Sequence, residues 1–64
     1  MMKVSEYFKL LEDEISHMMK NDPGLSLNSV TKGYLIKYVM VQLKGRCNPK
    51  QVDEDICRVY NSMI

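Results

Sequence analysis

The stretch Gly33–Leu43, GYLIKYVMVQL, decides how the chain folds, because eight of its eleven residues are apolar or aromatic. A segment of this kind is a membrane span, a buried strand, a buried helix or a contact surface. A membrane span requires roughly 20 apolar residues, and Lys37 interrupts a run that is already shorter than that. An isolated strand requires a second copy or another protein to pair its backbone, and periodicity alone leaves that alternative open. Caps favour a helix, since Asn28 or Ser29 can begin it and Gly45 can end it.

The segment before this stretch has the spacing of an amphipathic helix. Between residues 4 and 20, apolar side chains recur every three or four positions, and polar side chains fill the opposite side. Pro23 and Gly24 then end the helix. Its inward-facing residues are Val4, Phe8, Leu11, Ile15 and Met18.

The segment after it begins with a strong helix signal. Asn48 is a preferred N-cap, Pro49 occupies the first helical position, and Gln51 stands three residues after the cap, as in a capping box. These residues predict a helix over 49–63. Its inward stripe consists of Val52, Ile56, Val59, Tyr60 and Met63.

Three helices near residues 4–20, 29–44 and 49–63, joined by short loops, predict an all-α fold. We expect residues 1–64 to form one helical domain, a small three-helix bundle with helix 2 in the central position. The expected core consists of Phe8, Leu11, Ile15, Leu35, Val39, Ile56, Val59 and Tyr60, with Met18 and Met63 filling irregular gaps.

Helix 2 is apolar around most of its circumference, so two flanking helices do not cover all of it. Leu35, Ile36, Val39 and Leu43 lie on one side, and Val30, Tyr34, Tyr38 and Val41 lie on the other. An apolar face left open on so small a protein is typical of a partner surface or a self-association surface. We therefore expect a homodimer or a complex with a larger protein. The predicted partner interface consists of Val30, Tyr34, Lys37, Tyr38 and Val41.

Catalysis is not expected. A chain of 64 residues buries barely enough apolar surface for one hydrophobic core, so it is not expected to form a catalytic cleft as well. His17 is the only histidine, and Asp13 stands four residues before it. These two residues would supply only two ligands, whereas a zinc site requires three or four. Cys47 and Cys57 are too few for a disulfide scaffold, which suits a reduced, cytoplasmic location. We expect no enzyme activity, no cofactor and no metal site.

A nucleic-acid-binding protein is the alternative, because helices 2 and 3 resemble the layout of a dimeric helix-turn-helix regulator. The start of helix 3 would then enter the major groove, but residues 53–55 are all acidic and would meet phosphates unfavourably. The net charge of +1 gives no general attraction to nucleic acid either. A basic surface elsewhere on the bundle would have to make the contact. Its candidate residues are Lys32, Lys37, Lys44 and Arg46.

The composition suggests where such a chain originates. It has seven lysines against two arginines, six methionines, and neither alanine nor tryptophan, as expected for an AT-rich coding genome. This bias and the small size suit a phage or mobile-element accessory protein. The sequence thus favours a non-enzymatic protein–protein interaction module that binds and modulates a larger protein, with no role for a membrane.

Overall fold

The computed structural model describes residues 3–64. They form three α-helices: α1 is Val4–Asn21, α2 is Ser29–Gln42 and α3 is Pro49–Met63. Every helix packs against both others in a bundle measuring 34 × 21 × 18 Å. The three-helix bundle is therefore confirmed, with α2 against both neighbours. Because α1 and α3 also contact each other, the helices form a triangle rather than a row. No helix among the described residues is both long and apolar enough to cross a membrane.

Asparagine caps begin two of the helices, as predicted. The Asn28 side chain accepts a hydrogen bond from the Thr31 backbone N–H at 2.9 Å, and Asn48 accepts one from the Lys50 N–H at 2.9 Å. Each bond satisfies a donor that the first turn of a helix leaves free. The predicted capping box does not form, because the Gln51 amide turns away from the cap and donates to Asp55 Oδ1 at 3.1 Å.

The end of α2 lies two residues before the predicted position 44. The Lys44 N–H donates to the Val41 carbonyl at 3.2 Å, and the Gly45 N–H donates to the Met40 carbonyl at 2.8 Å. These two bonds make a Schellman motif, in which the first residue past the cap adopts a left-handed backbone. Here that residue is Lys44, with φ of 54°, and Gly45 follows it with φ of 75°. The expected glycine is present, but one position beyond the place where the motif normally uses it.

Seven apolar side chains from all three helices form the core. The prediction was correct for six of them, and Val52 is the seventh. Phe8, Tyr60, Met18 and Met63 were also expected inside, but they are only half-buried and pack around the rim of the core. Val4 was expected to face inward as well, but it is 73% exposed at the start of α1, where little of the bundle lies beside it. Tyr60 stays at the surface because its hydroxyl donates to the Leu25 carbonyl at 3.1 Å, which ties α3 to the loop between α1 and α2. The buried apolar core residues are Leu11, Ile15, Leu35, Val39, Val52, Ile56 and Val59.

Two polar residues are buried with the core. Thr31 of α2 is enclosed, and its hydroxyl donates to the Ser26 carbonyl at 3.1 Å. Asp55, in the acidic group at residues 53–55 of α3, is only 4% exposed. Buried polar groups are tolerated when they are hydrogen-bonded. No buried side-chain nitrogen or oxygen among the described residues lacks a partner.

Candidate interaction surface

An apolar surface that the bundle leaves open lies on the outside of α2. At 3.6 residues per turn, five residues of this helix fall within an arc of about 100°. We call this arc the outer face of α2. Val30 is 80% exposed, Tyr34 is 51% exposed and Val41 is 66% exposed. The outer face consists of Val30, Gly33, Tyr34, Lys37 and Val41.

The opposite side of α2 belongs to the core. Leu35 and Val39 are buried there, and Ile36 and Leu43 are half-buried beside them. The expectation that one side of this helix would stay open is therefore confirmed, and the open side is the one that carries Val30. One half of this apolar helix therefore stabilises the bundle, while the other half presents apolar side chains to solvent.

Tyr38 lies at the edge of the outer face rather than on it. Its side chain is half-buried and packs against the core. The ring stacks on Tyr34 with centroids 6.4 Å apart and planes 18° apart. Tyr38 therefore restricts the orientation of the more exposed ring, and a change at Tyr38 affects both the fold and the surface.

Gly33 leaves a gap on the outer face. A Cβ added at this position would meet nothing within 4 Å. The glycine is therefore not required by packing inside the described bundle, although a glycine in the middle of a helix costs roughly 0.5–1 kcal/mol relative to alanine.

The basic residues considered for nucleic-acid binding do not form one surface. Lys32 pairs with Asp53 of α3, with Nζ and Oδ1 3.5 Å apart. Lys37 is exposed on the outer face, about 140° around the helix from Lys32. Lys44 and Arg46 follow the end of α2 and line a cleft at the base of the bundle.

That cleft, which we call the basal cleft, lies between the start of α1, the end of α2 and the start of α3. Its volume is about 640 Å³. The sequence drew attention to Lys44 and Arg46 but gave no sign of the cleft, which forms only when residues 3–7 meet residues 42–55. Its walls include Val4, Tyr7, Leu43, Cys47 and Val52.

A hydrogen-bonded carboxylate forms part of the cleft lining. The Tyr7 hydroxyl donates to Asp55 Oδ2 at 2.8 Å, and the Gln51 amide donates to Oδ1. Arg58 adds a cation with Nη1 3.9 Å from Oδ1. Burial raises the pKa of Tyr7 well above its usual value of 10.0, and the hydrogen bond to Asp55 and the charge of that carboxylate raise it further. The Tyr7 phenol therefore remains a neutral donor.

The residues with the chemistry for metal binding or catalysis are dispersed. The His17 Nε2 is 3.1 Å from the Asn21 side-chain nitrogen on the exposed side of α1. Both cysteines are free thiols. Cys47 Sγ lies 3.2 Å from Met40 Sδ. Within residues 3–64, no three histidine, cysteine or acidic side chains are grouped around a common point.

No protein family, curated protein or solved structure matches this chain.

Proposed function

We propose that this protein is a non-enzymatic interaction module whose contact surface is the outer face of α2. One observation carries the proposal. Three of the five most exposed large apolar side chains lie together on this face, whereas the other two, Val4 and Ile64, stand at the ends of the described chain. Single exposed apolar residues are normal, but a contiguous group on a core helix is typical of an interface.

The spacing of the outer face suits a helix that lies in a groove. Val30, Tyr34, Lys37 and Val41 occupy positions i, i+4, i+7 and i+11, which place them in one line along the helix. Tyr34 stands near the middle of this line. Aromatic residues at the centre of an interface contribute most of its binding energy, so Tyr34 is the expected anchor.

The dimensions of the face favour a larger protein as the partner. A helix of 14 residues is about 21 Å long and about 10 Å wide, so its outer face offers on the order of 200 Å². A stable interface buries about 800 Å² on each partner. Two copies meeting through α2 alone would therefore form a weak contact. A groove that encloses the helix would also cover its flanks and bury more surface.

The charges on α2 define the chemistry of that groove. The helix sequence SVTKGYLIKYVMVQ contains two lysines and no acidic residue. Lys37 projects from the outer face, so the groove should be apolar with an acidic rim. In this proposal the protein acts in the cytoplasm as a small accessory or regulatory protein, and the composition supports an origin in a phage or mobile element.

A double variant places a charge at each end of the outer face and leaves the buried side of α2 unchanged. Val30→Asp places a negative charge in the first turn of α2, and Val41→Lys places a positive charge in its last turn. Both charges suit the helix dipole, and the net charge of the protein does not change. The matched control, Ser5→Asp with Ser16→Lys, makes the same exchange on exposed positions of α1. Each tagged protein is used to capture partners from an extract of the native host, and mass spectrometry quantifies them.

We expect at least one protein to be enriched by the wild type and the control and lost with the α2 variant. The same set of captured proteins with all three chains would refute the proposal. A nucleic-acid binder would behave differently. Lys32→Glu with Lys37→Glu would abolish its binding, and affinity would fall steeply as salt rises to the physiological range. A gel shift with duplex DNA tests that alternative, and tight, salt-sensitive binding there would also contradict the proposal.

A further inference from the structure

The basal cleft has the dimensions of a small-molecule site. Its volume of about 640 Å³ falls within the range of roughly 300–1,000 Å³ that such sites occupy. It lies at the end of the bundle, beyond the last turn of α2, so it does not belong to the outer face. Its walls are mainly apolar, with Val4, Leu43 and Val52 contributed by three different helices or helix ends.

The cleft carries cations that the described part of the chain does not neutralise. Lys3, Lys44 and Arg46 line it and are exposed. Within residues 3–64, the pairs with nitrogen and oxygen within 4.0 Å involve other cations, namely Lys32 and Arg58. The only acidic residue in the lining is Asp55. Its oxygens already accept hydrogen bonds from Tyr7 and Gln51, so they offer little to a cationic ligand.

The C-terminal motif of α2 places Lys44 in the lining of this cleft. This residue holds φ of 54° in a position where helices normally use glycine. A cation near the end of a helix is favourable, which offsets part of the strain. A lysine within the last turn of α2 would gain that attraction without a left-handed backbone. Strained residues cluster at functional sites, and here the strain places a cationic side chain in the lining of an apolar cleft.

We propose that the basal cleft binds a small anionic amphiphile, with its carboxylate near Lys44 and Arg46 and its apolar chain against Val4, Tyr7 and Leu43. The start of α3, where Asn48 lines the cleft, adds the partial positive charge of a helix N-terminus. This binding is independent of the proposed contact through α2.

Decanoate is a suitable probe because it joins one carboxylate to a flexible apolar chain. Titration into ¹⁵N-labelled protein below the micelle concentration should give saturable shifts at the amides of Leu43, Lys44, Cys47 and Val52. The expected Kd is on the order of 0.1–1 mM for a ligand of about a dozen heavy atoms. Decyltrimethylammonium has a chain of the same length and the opposite charge, and it should give no saturable shift at these amides.

Two double variants test the cations directly. Lys44→Gly with Arg46→Gln removes two charges from the cleft, and glycine suits the left-handed backbone at position 44, so the fold is retained. Lys9→Gln with Lys20→Gln removes two charges from exposed positions of α1. The first pair should raise the Kd for decanoate by about tenfold, and the second should leave it within about twofold. Three results would each overturn the assignment. They are equal binding of decanoate and decyltrimethylammonium, chemical-shift changes centred on the amides of Val30 and Tyr34, and the absence of any saturable shift.

Discussion

Replacing Tyr7 with phenylalanine tests whether the bond between α1 and α3 stabilises the bundle. The change removes one oxygen, and this oxygen donates to the Asp55 carboxylate at 2.8 Å. Asp55 is 4% exposed, so water cannot readily take the place of the lost donor. Hydrogen bonds to charged groups contribute about 1.5–3 kcal/mol, so we expect a loss of about 2 kcal/mol in the free energy of unfolding. For a domain of this size, that loss lowers the melting temperature by roughly 8–16 °C.

Urea unfolding and thermal melts followed by circular dichroism measure the effect. The matched control is Tyr34→Phe, which removes the same atom from a half-exposed ring. The Tyr34 hydroxyl bonds to none of the described residues, so this change should alter the free energy of unfolding by less than about 0.5 kcal/mol. A double-mutant cycle with Asp55→Asn isolates the pair from other effects of each change. If Tyr7→Phe is as stable as the wild type to within about 0.5 kcal/mol, the bond does not hold the helices together.

The same pair predicts how stability changes at alkaline pH. Because folding raises the pKa of Tyr7, its contribution is complete below the unfolded value near 10.0 and is lost as the pH rises towards the folded value. Above pH 10, the wild type should therefore lose up to about 1.4 kcal/mol per pH unit relative to Tyr7→Phe. The difference in stability between the two proteins should narrow with pH, and a constant difference from pH 8 to pH 11 would contradict the raised pKa.

Three further substitutions test the helix ends and the outer face. Lys44→Gly should raise the free energy of unfolding in urea by about 0.5–1 kcal/mol, because glycine adopts the left-handed backbone freely. A loss of stability would show that the Schellman motif is misassigned. Gly33→Ala should stabilise it by about 0.5–1 kcal/mol, because an added Cβ meets nothing within 4 Å, and a lower melting temperature would show that the position is not open. Asn28→Ala should cost about 1 kcal/mol by removing the bond to the Thr31 N–H, and an unchanged melt would mean that the cap contributes nothing.

The fold was predictable because local signals agreed with the apolar pattern. Asn28 and Asn48 form the predicted side-chain caps, and all three helices lie within two residues of the expected bounds. The split of α2 into a buried side and an open side also followed from the sequence, since one helix cannot be covered all round by two others. The sequence also indicated which side is open. Leu35 and Val39 were expected in the core and are buried, whereas Val30, Tyr34 and Val41 were expected outside it and are exposed.

The polar interior was not predictable, because it depends on partners distant in sequence. Asp55 looks like an ordinary acidic residue near the start of a helix, and its burial follows from Tyr7, 48 positions earlier. The basal cleft has the same origin, since its walls come from α1, the end of α2 and α3. Periodicity describes each helix separately, whereas the angles between helices determine which side chains meet.

Photochemical cross-linking in the native host tests the central proposal, that the outer face of α2 is a contact surface. A photoreactive benzoylphenylalanine is introduced at Tyr34, and in a second protein at the exposed residue Ser16 on α1. Irradiation should link the first protein to a distinct larger protein, and the Val30→Asp and Val41→Lys changes should remove that product. The Ser16 position should give no such product. Absence of any product at Tyr34, or the same product from both positions, would contradict the assignment of this face.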